Sequence, residues 1–303
     1  MNAVRKVAIT TGDLDGVGLE VAVKALRRIG PQRGVCFYLW RSPQAFQKKI
    51  CQKLSSQFNQ SSLVQVESSS SPALWVEEVA KLCLSNKMDS MVTGPLSKQE
   101  ILRAGLKDIG HTDILKRVAK RSSAFMAFVG EKFNVLLVTA HIPLHQVSEH
   151  LTPSLETAAL QIALSARQIL SKPQQKKPLG VLGLNPHAGD RSLIGREESV
   201  WLAPLLQSFP GTNQLVGPLV PDVAFTQENW KKYSFFICQY HDQGLIPFKM
   251  AHGFDSGAHL TLGLPIRRSS VDHGTAKDLF GQNKARSGSM EAALRWGVRL
   301  AKS

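Results

Sequence analysis

The feature that most constrains this sequence is a recurring pair, a short and almost wholly apolar run followed by an amphipathic stretch. The apolar runs are Val4–Thr10, Gly34–Trp40, Ser90–Thr93, Asn134–Ala140, Leu179–Leu184 and Phe235–Tyr240. Runs without polar alternation are what a strand covered on both faces requires. Between them lie Leu19–Arg28, Pro43–Leu54, Leu74–Ser85, Thr112–Arg121, Pro153–Leu170 and Ser289–Lys302, each with helical periodicity. Thr152-Pro153 offers an N-cap with proline at the first helical position. Strands alternating with helices predict an α/β fold with a substantially parallel sheet. Ser55–Pro72, rich in Ser and Gln, and Ser171–Pro178, polar with two prolines, read as connectors, and no internal repeat is visible.

Composition narrows the function. Hydrophobic residues at 43% and charged residues at 20% of 303 exclude a wholly disordered chain. A chain of this size folds without disulfides or structural metal. The formal charge of +14 favours an anionic partner. The basic residues are scattered, however, with the densest clusters at Lys172/Lys176/Lys177 and Arg117/Lys120/Arg121, and an aromatic content of 7% offers few stacking platforms. A nucleic-acid partner is therefore not expected, and plain surface charge accounts for the balance as readily as a phosphorylated small molecule. Cys36, Cys51, Cys83 and Cys238 form no CxxC pair and read as reduced thiols, which suits a cytoplasmic location. Gly12 and Asp13 interrupt any signal-peptide core, and no run of 18 apolar residues exists, so no membrane partner is expected.

Ligands of parallel α/β sheets collect at the carboxyl ends of strands, so the residues that follow each apolar run carry the functional argument. After the first comes TTGDLDGVGLE (Thr10–Glu20), whose glycines permit a tight turn but match neither a dinucleotide nor a Walker fingerprint. After Met91-Val92 comes TGPLSK (Thr93–Lys98), a turn and helix start that suits an anion, then GHTD (Gly110–Asp113). His141, His187 and His241 each sit just past an apolar run in a polar, turn-like context. Taken singly, such a histidine is more often structural. Three in equivalent positions suit a divalent metal with an open coordination position. Asp242 and Asp222 are placed to orient or join such ligands. Arg267 and Arg268 follow a Gly-Leu-Pro turn, where a guanidinium fork suits phosphate or carboxylate. Asp272-His273-Gly274-Thr275-Ala276 then forms a small-residue loop.

These segments, with HIPL, GLNPHAGD, GREE, GPLVPD, YHDQGL and GLPIRRSSVDHGTA in order, resemble the 4-hydroxythreonine-4-phosphate dehydrogenase family of pyridoxal phosphate biosynthesis, from about residue 7 to residue 290. The resemblance implies a two-domain isocitrate/isopropylmalate dehydrogenase-like fold with a cleft between domains. A discontinuous cofactor-side domain would span 1–110 and 262–303, and a metal, substrate and dimerisation domain 111–261. It implies a homodimer with the active site at the interface. His141, His187 and His241 match the metal ligands, for Zn, Mg or Co, and are contributed across that interface. His111, Thr112, Lys249 and Arg268 match substrate-binding positions, and His259 stands near an expected asparagine. His111, Asp242 and Lys249 are the catalytic candidates, and the 272–276 loop matches the NAD or NADP loop. The implied reaction is oxidation of 4-phosphooxy-L-threonine to a β-keto acid that loses carbon dioxide.

The sequence departs from the family pattern in places. GDLDGVGLE stands for the usual GDPAGIGPE and gains Asp15, and Arg191-Ser192-Leu193-Ile194 replaces Gly-Gly-His-Met. Dehydrogenation of threonate or erythronate 4-phosphate is therefore the alternative reading. A metal-dependent hydrolase is the alternative from another class, since three histidines equally suit water activation.

Overall fold

The computed structural model describes residues 4–253 and 255–302, which divide into two compact units: 4–124 with 255–302, and 125–253. In the first unit the strands are β1 (Arg5–Thr10), β2 (Val35–Arg41), β3 (Leu63–Glu67) and β4 (Ser90–Thr93). The second unit supplies β5 (Phe125–Val129), β6 (Asn134–Leu137), β7 (Leu179–Leu182), β8 (Leu215–Leu219) and β9 (Phe236–Cys238). The chain then returns to the first unit as β10 (Ala258–Leu262) and β11 (Arg268–Ser270).

The strand order in the first unit is β3-β2-β1-β4-β11-β10, parallel except for the β10–β11 pair. Alternation of side chains sorts β1 onto two cores. Val7 and Ile9 pack with Val21 and Leu26 of helix Gly18–Ile29 and with Met290 and Leu294 of helix Gly288–Lys302. Ala8 faces the opposite way, toward Trp75 and Val76 of helix Pro72–Leu84 and Ile114 and Leu115 of helix His111–Ala119. Covering on both faces is why these strands read as unbroken apolar runs.

The second unit has the order β5-β6-β9-β7-β8, parallel except for β5–β6. Its centre is aromatic. The Phe133 ring lies 5.4–5.9 Å from Phe225, Trp230, Phe236 and Phe248, and such clusters add to area burial through edge-to-face contacts.

The Thr152-Pro153 start is found as expected, with Thr152 Oγ1 accepting from the Leu155 N–H at 3.2 Å. Two readings need correction. The Ser55–Pro72 connector contains β3, an outer strand whose residues after Leu63 are only partly covered, so it lacks an apolar run. The Ser171–Pro178 connector contains the short helix Lys172–Gln175.

Glu156, on helix Pro153–Ala166, is fully buried, and neither of its carboxyl oxygens finds a donor among the described residues. Burial pushes its carboxyl up to about 7, with the neighbouring Gln239 amide opposing the rise. The folded state thus holds a proton that the unfolded chain releases near the ordinary value of 4.5, so stability is lost as pH rises from there through about 7. Glu156→Gln should match the parent near pH 5 and exceed it near pH 8 by up to roughly 3 kcal/mol. Denaturant unfolding at both pH values checks this. An equal difference at the two would show that Glu156 does not titrate in that range.

Candidate active site

In the first unit, β1, β4 and β11 are adjacent and parallel, so the loops that follow them gather at one sheet edge. Their approach is close. A Cβ on Gly12 (φ +77°) would stand 1.9 Å from the Pro95 carbonyl oxygen, and one on Gly94 2.6 Å from that of Thr11. Only glycine permits this packing. The Asp13 side chain is buried in the junction, where Oδ1 accepts from the Ser97 N–H at 2.9 Å and Oδ2 lies 3.1 Å from Lys277 Nζ. Ser97 in turn caps helix Lys98–Arg103 through the Glu100 N–H, which leaves Lys98 exposed.

The 272–276 loop is pinned to the same turn. The Val17 N–H donates to the Thr275 carbonyl at 3.0 Å, and Lys277 also binds Asp15 at 2.8 Å. That ion pair gives Asp15, which departs from the family pattern, a structural function. The Asp272 N–H donates to Ser289 Oγ, and Ala276 lies in the left-handed region at φ 43°. His273 Nδ1 pairs with the Gly274 carbonyl at 2.8 Å, while Nε2 is buried with no partner. Gly274 has open space where a side chain would stand. A buried polar atom facing a loop without side-chain bulk fits a polar ligand such as a dinucleotide.

Beside this loop lies Arg268, 3% exposed. Its Nε and Nη2 donate to Thr93 Oγ1 at 3.0 and 2.8 Å, and its Nη1 to Thr261 Oγ1 at 2.8 Å. No carboxylate faces it among the described residues, and burial lowers its pKa to about 9. An uncompensated buried cation is costly, and an incoming anion removes the cost. His111 opens helix His111–Ala119, with Thr112 beside it. Its Nε2 is sealed from solvent and unpartnered. Burial, with Arg268 nearby, pulls its pKa well below the ordinary value, so the ring is neutral at pH 7. His259, also buried, lies on β10 opposite Ser270 of β11.

In the second unit, β6, β9 and β7 are neighbours and parallel, and His141, His241 and His187 follow their carboxyl ends. Glutamines missed in the sequence tie these ends together. Gln239 Nε2 donates to the Leu182 carbonyl at 2.9 Å, Gln243 Nε2 to that of Gly183 at 2.8 Å, and Gln243 Oε1 accepts from the Gln239 N–H. Buried Glu198, from GREE, accepts from the Leu184 and Asn185 N–H groups at 2.7 and 2.8 Å and anchors the loop that carries His187.

The His141 and His241 ring centroids are 5.6 Å apart, and both residues line a cavity of ≈ 470 Å³. Asp242 Oδ1 is 2.7 Å from His241 Nδ1, the carboxylate–histidine arrangement that fixes a ligand's tautomer. The two imidazoles offer nitrogen donors of the kind a divalent metal takes, but with Asp242 they do not make a three-ligand set among the described residues. Among the described residues, no group of three or more His, Cys, Asp or Glu side chains with metal-binding spacing forms, so His187 does not join the pair within one chain. Lys249 is half-buried on helix His241–His252.

The Arg268 environment yields a direct test. Inorganic phosphate at about a hundred times its Kd should stabilise the protein by roughly 2.7 kcal/mol. Thermal melts should show that response in the parent and lose it in Arg268→Met. Equal protection of both would place the anion elsewhere.

Comparison with known proteins bears on the family and the fold. A family model described as the pyridoxal phosphate biosynthetic protein PdxA matches residues 26–297, beginning downstream of the divergent Thr10–Glu20 turn. A 4-hydroxythreonine-4-phosphate dehydrogenase from Sulfurihydrogenibium sp. (strain YO3AOP1) is 32% identical, over 97% of this chain and 98% of that one. The crystal structure of the Klebsiella pneumoniae protein of that name superposes with a TM-score of 0.82 at 24% identity, covering 100% of both chains. A β-decarboxylating dehydrogenase from Thermococcus kodakarensis shares the fold at 12% identity and TM-score 0.57, over 96% of this chain and 82% of its own. The two-unit α/β architecture is thus of the dehydrogenase class expected, and the chain belongs to the family of the pyridoxal phosphate biosynthetic protein PdxA.

Proposed function

We propose that this chain oxidises the secondary alcohol of 4-phosphooxy-L-threonine with NAD or NADP, giving a β-keto acid that decarboxylates to 3-amino-2-oxopropyl phosphate. The observation that carries the reading is the buried Arg268, held by two threonine hydroxyls and facing no carboxylate among the described residues. Membership of a family whose relatives are named for this substrate supports it.

The residues divide the work. Arg268 binds an anionic end of the substrate, and Lys249 supplies positive charge to another. Neutral His111 offers an imidazole to the reacting hydroxyl, and Thr112 adds a hydroxyl at the same helix start. Asp242 orients His241 and is the second proton-accepting candidate. His259 lines the substrate side from β10. Asp272 to Ala276, through His273, Gly274 and Thr275, hold the dinucleotide, which accepts the hydride. His141, His187 and His241 would hold one divalent ion, Zn, Mg or Co, with His187 supplied across the dimer interface, and such an ion would lower the pKa of the substrate hydroxyl. On oxidation the carbinol C–H leaves as hydride and the hydroxyl proton passes to the base. The carboxylate C–C bond then breaks, releasing carbon dioxide, and the resulting enolate takes up a proton. The reading includes a homodimer with the site at its interface and a cytoplasmic location. No helix among the described residues is long and apolar enough to cross a membrane.

The test is absorbance at 340 nm with protein, divalent metal, NAD or NADP, and either 4-phosphooxy-L-threonine or threonate or erythronate 4-phosphate. Reduction is expected with the first. Reduction only with a sugar-acid phosphate would move the substrate to the alternative that the Arg191–Ile194 departure raises. None with any substrate would reject the dehydrogenase reading. His187→Ala should lose at least about a hundredfold in turnover, lower the bound metal measured by atomic absorption, and leave the circular dichroism unchanged. Full activity at ordinary metal levels would sink the triad.

A further inference from the structure

A cavity of ≈ 360 Å³ in the first unit lies between helix Gly18–Ile29, helix Ala45–Cys51 and the segment around Gly281 and Asn283. That volume is within the range of about 300–1,000 Å³ found for small-molecule sites. Its walls include Val23 and Ile50, and Phe46 gives it an aromatic ring, 45% exposed and braced edge-on against Phe280 at 5.5 Å. Arg27, Lys49 and Lys53 also line it, and none has a carboxylate partner among the described residues. An aromatic face beside three unneutralised cations suits a base joined to phosphate.

The cavity is not isolated. A smaller void shares Glu20, Phe46, Ile50 and Gly281 with it and reaches Leu14 and Gly16. That void holds only ≈ 10 Å³, and the Gly16 turn packs against the loop assigned to the dinucleotide, where a Cβ on Gly16 would lie 3.0 Å from the Thr275 carbonyl oxygen, so the cavity adjoins that loop. Glu20 is the cavity's acidic residue. Its Oε1 is already engaged by Lys24 at 2.7 Å and by the Ala285 N–H at 2.9 Å. In dinucleotide sites an available carboxylate takes the ribose 2′-hydroxyl of NAD, whereas basic side chains accommodate the 2′-phosphate of NADP.

We infer that this cavity receives the phosphorylated adenosine end of the dinucleotide, and that Arg27, Lys49 and Lys53 bind its 2′-phosphate and select NADP over NAD. The inference rests on the dinucleotide reading above and adds the choice between the two cofactors. The added phosphate carries nearly two negative charges, and all three cations are exposed enough to reach it without moving the backbone.

Isothermal titration calorimetry of the full-length protein with NADP, NAD and adenosine 2′,5′-bisphosphate tests this. NADP should bind at least about tenfold more tightly than NAD, a difference of about 1.4 kcal/mol. The bisphosphate should compete with NADP. The double variant Lys49→Gln/Lys53→Gln should bring the two dinucleotides near parity by weakening NADP while leaving the Kd for NAD unchanged. Both lysines are exposed, and circular dichroism checks the fold of the variant. Equal affinities in the parent, or an NADP advantage that survives the double substitution, would overturn the inference and leave the dehydrogenase reading standing. Binding of neither dinucleotide would remove both.

Discussion

The contact on which the first unit's site depends is between two backbones. The turn after β1 lies against the turn after β4 so closely that a Cβ on Gly12 would meet the Pro95 carbonyl oxygen at 1.9 Å. That approach places the Asp13 carboxylate where one oxygen reaches the Ser97 N–H and the other meets Lys277. Lys277 brings in the 272–276 loop, and the Val17 N–H completes the attachment at Thr275. Remove the glycine and the chain of contacts from strand edge to ligand loop has no starting point. The second unit reaches the same end by different means. There the Gln239 and Gln243 side chains tie the end of β9 to that of β7, the Thr139 hydroxyl after β6 donates to the Gln239 carbonyl, and Glu198 holds the His187 loop.

Buried charge separates function from packing in this molecule. Arg268 sits among threonine hydroxyls with no countercharge among the described residues, which an apolar residue of similar volume would avoid. Its retention makes sense if an anion arrives to complete it. Lysine would not substitute, because three nitrogens of one planar group meet Thr93 and Thr261 on two strands. Burial keeps His111 unprotonated, and the same positive charge adds to that effect. A neutral imidazole, unlike an imidazolium, does not compete with the guanidinium for an anion.

Much of this was legible in the sequence where burial on both faces left an unbroken apolar run. The six runs read that way all contain strands, and the six helical stretches contain helices. What escaped notice has identifiable causes. β3 lies at the outer end of its sheet and β8 at the outer end of the other, so neither needs two apolar faces. β11 is three residues long and begins with an arginine, which reads as a loop until the strand is seen to carry it. Helix His241–His252 contains Pro247, normally a helix breaker. The histidines that follow β6, β7 and β9 stand out in the sequence by residue type and by position after an apolar run. Gln239, Gln243 and Asp13 do not, because their roles lie in bonds to backbone groups distant in the chain, which spacing does not encode.

The departure at Asp15 shows how such a site tolerates change. The family model begins its match at residue 26 and passes over the turn where Asp15 lies. The turn nevertheless keeps the parts the geometry needs: glycine at 12 and at 16, aspartate at 13, and backbone groups that meet Pro95 and Thr275. Asp15 is added at its rim, where Lys277 answers it at 2.8 Å. Lys277 is then shared between a buried carboxylate and an exposed one, and the exposed contact is the weaker because solvent screens it. The strength of the attachment rests with Asp13, inside the glycine junction, and the rim is left free to vary.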